Sequence, residues 1–281
     1  MNNHLGKISK ITGTIIINTL VMLFSIFCIF PFIWIIYSAF KTEEEFALSI
    51  ITLPKKLNWD NFIKAINTGQ MGEFAFNSFF NSIIVLVFVV IASFIVAYFL
   101  SRFRFKGRNF IYGLFVAAIL IPVHSLMVPI FIEYRNVGML NNRFTLLPVY
   151  FSFGLPISVF LIESFIGSIP IELEEAAIID GCSIGRTMFT IIMPLCRPVL
   201  ATVIILSFMG TWNEFPFALV LIKDNALKTI PVGLRNFQGA HSARYTEFLA
   251  GLTISLMPVI IVYSIFYKKI IVGMTAGTVK G

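Results

Sequence analysis

Between residues 172 and 180 the chain gathers four carboxylates, Glu172, Glu174, Glu175 and Asp180, although it has only 14 acidic residues in 281. Directly after them, Gly181-Cys182-Ser183-Ile184-Gly185 fits the G-x-S-x-G pattern of a serine hydrolase. That pattern needs a sharp strand-to-helix turn carrying the nucleophile, with an acid and a histidine later in the chain. Asp224 and His241 follow in the required order. The residues ahead of Ser183 oppose the reading, because Glu, Leu and Ala build helices rather than a strand. Taken as structure, the same letters describe a helix, a tight turn and a second helix. Pro170 suits a first helical turn, and the carboxylates sit at that helix's positive end. Gly181 serves as a C-cap, and Ser183 as the N-cap of a helix running toward Ile192 and ending near Pro194. Ala176 and Ala177 leave room for another surface to approach closely.

Other chemistry is sparse. The chain contains no H-E-x-x-H and no G-x-x-x-x-G-K-[ST] loop, which excludes ATP hydrolysis by a phosphate-loop mechanism. Cys28, Cys182 and Cys196 show neither paired nor metal-ligand spacing and read as small apolar fillers. No basic–aromatic cluster suggests nucleic acid, so none is expected as a partner.

The elements that must position these residues are set by composition. With 58% hydrophobic and 12% charged residues and a mean hydropathy of +0.90, the chain lies outside the soluble range. Uncharged runs predict six membrane spans, near residues 15–37, 79–100, 110–131, 144–162, 199–222 and 248–267. Continuous apolar runs select helices over a barrel, so the fold class is an all-α polytopic membrane protein in contact with lipid. Residues 1–76 form an anchor helix and an external segment, in which Trp59 and Phe62 suit the interface. Residues 77–267 form the core, with a loop at 164–198, and 268–281 a tail. Basic residues divide almost evenly between the two sides. The compact Arg102-Phe103-Arg104-Phe105-Lys106-Gly107-Arg108 connection nevertheless favours both termini inside, where the opening stretch also falls. Asp224 and His241 would then lie across the membrane from Ser183. Asn77 and Asn81, one helical turn apart, share a face suited to linking helices. His124, between Pro122 and Pro129, suits helix linkage or a proton path.

Glu175-Ala176-Ala177, three residues, Gly181, nine residues, then Ile191-Ile192-Met193-Pro194 resembles the E-A-A-x3-G-x9-I-x-L-P loop of ABC importer permeases, with Met193 where leucine is usual. GTWNEFPFALVLI (residues 210–222) and the C-terminal GMTAGTVKG resemble the carbohydrate-uptake class, particularly its second, maltose-type permease subunit. The resemblance implies a type I importer permease fold with six transmembrane helices, in a bacterial or archaeal plasma membrane. It implies a second permease subunit, two ATPase subunits and an extracytoplasmic sugar-binding protein as partners. ATP and magnesium are then held by the ATPases, and no cofactor by this chain. Glu174, Glu175, Ala176, Ala177, Asp180 and Gly181 are the expected ATPase-coupling residues. Trp212, Asn213 and Glu214 are candidates for the sugar pathway, with Trp212 stacking on a sugar ring and Asn213 bonding hydroxyls, or else for interhelical packing. The rival from another class, an ion-driven secondary transporter or channel, predicts paired intramembrane carboxylates or inverted repeats; Glu214 is the one acid inside the expected spans.

Overall fold

The structure is a computed structural model that describes residues 2–237 and 244–276, with side chains at 13–237 and 244–266. His241 lies outside the described residues. Among those described, every regular element is helical. In chain order the helices are α1 (Asn2–Ser38), α2 (Glu43–Leu48), α3 (Asp60–Asn67), α4 (Met71–Arg102), α5 (Arg108–Ile119), α6 (Met127–Asn136), α7 (Leu146–Gly167) and α8 (Glu172–Ile179). They continue with α9 (Ile184–Arg186), a π turn (Thr187–Ile192), α10 (Met193–Leu195), α11 (Arg197–Trp212), α12 (Pro216–Leu221), α13 (Ile230–Gly233) and α14 (Tyr245–Ala276). Four are long and apolar enough to cross a membrane: Gly13–Ser38 of α1, α4, α7 and Tyr245–Phe266 of α14. Two bent pairs make six when each counts as one span.

Those bent pairs interrupt two of the runs that hydropathy marks as spans, the kind of opening that prolines inside a span favour. The third run breaks at Pro122, and its two arms meet at 92°. Proline has no N–H and clashes with the preceding turn, so α5 closes in a tight turn with Leu120 N–H on Ala117 O. A 3₁₀ turn, Val123–Leu126, then restarts the chain, with the Ser125 hydroxyl donating to Pro122 O at 2.7 Å. Pro129 falls in the first turn of α6, where a missing donor costs nothing. The fifth run begins earlier than expected. Its helical arm Ile184–Leu195 meets α11 at 79°, and α11 stops at Trp212 before the short α12. Ahead of Pro194 the helix widens to π register, with Met193 N–H on Met188 O, a common adjustment beside a proline.

By its internal contacts the chain forms two compact units, residues 1–69 with 236–254 and residues 70–235 with the remainder. In the first unit α1 presents bare apolar surface, Phe27 being 79% exposed. At its end Lys41 is fully buried, its ammonium donating to Ser49 O (3.1 Å) and Ile50 O (3.0 Å) beside the Tyr37 and Phe46 rings. Burial lowers the Lys41 pKa, and the charge of Glu45 opposes the shift. The segment that follows carries two short helices, α2 and α3. Thr42 and Glu45 form a capping box on α2, and Phe40 packs against both Trp59 and Phe62.

In the second unit α4 packs chiefly on α7 and α11 around Val89, Phe94, Val159, Ile162, Ile192 and Val203. Gly154 permits the approach, since a Cβ there would stand 3.3 Å from Val89 Cγ2. α4 and α7 run in the same direction. At their starts, Arg143 Nη1 donates to Asn77 Oδ1 (2.7 Å), and the Asn77 amide donates to Ala226 O (2.8 Å) and Lys228 O (2.9 Å). At their ends, Arg102 donates to Ile169 O (2.8 Å) just past α7. The connections at 103–107 and 168–196 therefore share one end of the unit, and 137–145 and 222–229 share the other. About 40 Å of α4 separates Asn77 from Arg102. Ser183 lies at the Arg102 end. Asp224, whose N–H is held by Asn141 Oδ1 at 2.7 Å, lies at the Asn77 end, so these two residues cannot share a hydrolytic site.

Candidate functional site

Two places in the second unit gather the residues singled out by the sequence. The first is α8, eight residues long, with Glu172, Glu174 and Glu175 in its first turn. It ends in a Schellman motif: Cys182 N–H donates to Ala177 O (2.9 Å) and Gly181 N–H to Ile178 O (3.0 Å). This closure needs a left-handed residue, and Gly181 supplies it at φ +82°. Ser183 then takes up its capping role, its hydroxyl accepting from Arg186 N–H at 3.4 Å.

The faces of α8 divide the six expected coupling residues. Glu175, Ala176, Asp180 and Gly181 are exposed, beside Ile178 and Ile179, the latter 85% exposed. Glu174 and Ala177 face inward instead, each only 6% exposed. The open acidic and apolar surface of α8 is thus offered by Glu175, Ala176 and Asp180, without Glu174 or Ala177. The Glu174 carboxylate is used inside the chain. Its Oε1 accepts from Arg102 Nε at 2.5 Å, and its Oε2 accepts from the Tyr98 hydroxyl at 2.8 Å. Arg102 and Tyr98 escaped the sequence reading. Arg102 was visible only as one charge of a basic connection, and 72 residues separate it from its partner.

The second place is a cavity of ≈ 470 Å³ between α4, α7, α11 and the break that follows α11, lined in part by His124, Tyr150, Ser207, Thr211, Asn213 and Glu214. Of the three expected pathway residues, Asn213 is exposed there and Glu214 half-buried. Trp212 does not line it. At 1% exposure it stacks on Phe208 and donates its indole N–H to Ser255 O at 3.1 Å, which is the packing role and leaves no ring face for a ligand. Glu214 also has a structural task. It accepts from the Tyr150 hydroxyl (2.6 Å) and from the N–H groups of Phe217 (2.7 Å) and Ala218 (3.0 Å), capping α12. Three donors offset the cost of a carboxylate in an apolar body. His124 lies beside the Phe217 ring at 6.4 Å. Among the described residues no group of three or more His, Cys, Asp or Glu side chains is arranged to hold a metal ion.

Comparison with known proteins bears on the family and the fold. Residues 89–274 match the family model described as binding-protein-dependent transport system inner membrane component. The sulfoquinovosyl glycerol transport system permease protein of Agrobacterium fabrum (strain C58) is 35% identical over 254 residues, 90% of this chain and 89% of that protein. The trehalose/maltose transport system permease protein of Thermococcus litoralis is 34% identical over 263 residues, 92% of this chain and 94% of that one. Among solved structures, a chain of a bacterial ABC transporter involved in the import of the acidic polysaccharide alginate superimposes with a TM-score of 0.77 at 22% identity, over 90% of this chain and 95% of that one. The fold is therefore that of an ABC importer permease.

Proposed function

This chain belongs to the family of binding-protein-dependent transport system inner membrane components, and on that premise we propose that it is one permease subunit of an ATP-driven sugar importer. A companion permease supplies the other half of the pathway, two cytoplasmic ATPase subunits hold ATP and magnesium, and an extracytoplasmic binding protein delivers the sugar. The chain itself binds no cofactor and hydrolyses nothing. Both termini and α8 face the cytoplasm. That orientation puts the basic 102–108 connection on the inner side, where the charge rule favours it.

The observation that carries the proposal is the exposed face of α8. A short helix with Ile178 and Ile179 bare to solvent, ringed by Glu175 and Asp180, suits insertion into an apolar groove with a basic rim on another protein. Glu175, Ala176, Asp180 and Gly181 make that contact, and Glu174 and Ala177 support it from below. In the cavity Asn213 offers an amide to sugar hydroxyls. Glu214 holds α12 in place, and Trp212 fixes the end of α11. An oligosaccharide is the preferred cargo, in keeping with the trehalose and maltose carried by one relative.

The test is an assembled complex in proteoliposomes. Gly181 replaced by a bulky residue should reduce both uptake and the ATPase stimulation given by loaded binding protein. Full retention of both would remove α8 from the coupling role.

A further inference from the structure

The Tyr98–Glu174–Arg102 cluster ties the end of α4 to α8 and, through Ile169 O, to the connection that leads into α8. Glu174 stands in the first turn of α8, while Tyr98 and Arg102 occupy successive turns at the end of α4. The second arm of the Arg102 guanidinium reaches Ile169 O, between α7 and α8. The ion pair is almost sealed, with the two side chains 9% and 8% exposed. Close to it lies the fully buried Cys196, the residue at the 79° bend into α11. Van der Waals contact alone lets a short helix slide over a longer one. A carboxylate gripped from two directions by a guanidinium N–H and a hydroxyl fixes both position and angle. Buried ion pairs add little net stability compared with apolar replacements, and setting a unique geometry is the use best attested for them.

We infer that this cluster is the joint that makes α8 and α4 move as one body. Displacement of α8 by a partner is thereby delivered along α4 to the cavity, whose wall includes Val85 of the same helix. Glu174, Arg102 and Tyr98 are positioning residues here. They touch neither ATP nor cargo, and they determine how much transport each hydrolysis event yields. The inference rests on the importer reading above.

Two measurements test it in the complete complex. The paired variant Arg102→Met with Glu174→Leu removes both charges together, which spares folding. It should assemble and hydrolyse ATP, yet the number of sugar molecules imported per ATP should fall by at least about five-fold, the lower range for energetic coupling between sites. An unchanged ratio would overturn the joint. Spin labels at Glu172→Cys and Lys106→Cys, in a background with Cys28 and Cys182 replaced by alanine and the fully buried Cys196 kept, report on the intact joint without disturbing its packing. Their separation should stay constant between nucleotide-free and ATP-bound states, and a change would overturn the proposal even if the paired variant fails to assemble. A parent complex that does not import sugar on ATP would instead refute the importer reading, so the two failures are distinguishable.

Discussion

Glu174 and Glu214 are two carboxylates held inside an apolar body, and each is satisfied differently. Glu174 has a cation for a partner, whereas Glu214 has one hydroxyl and two backbone donors. Their substitutions should differ accordingly. Glu174→Ala leaves the Arg102 guanidinium buried without its counter-charge and should cost about 3–5 kcal/mol, while the paired apolar replacement should cost far less. Thermal unfolding in detergent compares the two, and equal losses would contradict the account of this pair. Glu214→Ala strips three donors of their acceptor, at about 1–3 kcal/mol for each one left buried and unpaired, and Glu214→Gln should be milder. Asn213→Ala, on the open cavity wall, should change stability by less than about 0.5 kcal/mol and raise the apparent KM for uptake. Trp212→Phe should behave conversely, losing about 1 kcal/mol with its hydrogen bond to Ser255 while transport constants hold. A raised KM for Trp212→Phe with unchanged stability would return the indole to the pathway. At this scale the sequence separated residue types well and directions poorly. Asn213 and Trp212 are adjacent, yet only the rotation of α11 as it ends decides which meets the cavity.

α8 and its turn were the most legible element, because every feature that shapes them is local. The acids at the N-terminus, Gly181 at the closure and Ser183 at the next start lie within twelve residues of one another. Gly181 sits at φ +82° with open space where a Cβ would go, so substitution there acts through backbone strain and not through a clash. Gly181→Asn should therefore cost a few tenths of a kcal/mol and Gly181→Val about 1–2 kcal/mol, read as unfolding free energy of the purified chain. Equal effects would place the constraint elsewhere. Gly154 is the opposite case. Its φ is unremarkable, but a side chain would meet Val89, and Gly154→Leu should push α7 off α4 at about 1–3 kcal/mol. The broken spans were less legible. Pro122 and Pro216 were visible, but apolar residues continue on both sides, and hydropathy does not register a bend. The start of α4 was hidden for a related reason. Glu73, Asn77 and Ser78 fall below any apolar threshold, yet the helix runs through them because Asn77 and Ser78 bond the 226–230 segment across the fold.

For the molecule as a whole, composition sets the membrane class and the order of spans sets which connections share an end. Arg102 on Ile169 and Glu174, and Asn77 on Arg143 and Ala226, agree with that order. What stayed out of reach were the pairings across 66 to 155 residues that tie those ends together. They depend on packing of the completed bundle and leave no local pattern. The family to which the chain belongs is that of binding-protein-dependent transport systems, whose components work with others, and α8 offers an exposed acidic and apolar face at one end of the unit. The central claim is that transport is driven by ATP hydrolysis on a partner gripping α8. The most direct measurement is sugar uptake by the complete complex in sealed proteoliposomes, comparing an ATPase partner unable to hydrolyse ATP with a vesicle whose ion gradients have been dissipated. Uptake should stop with the inactive ATPase and continue without the gradients. Uptake that survives the inactive ATPase and collapses with the gradients would contradict the account.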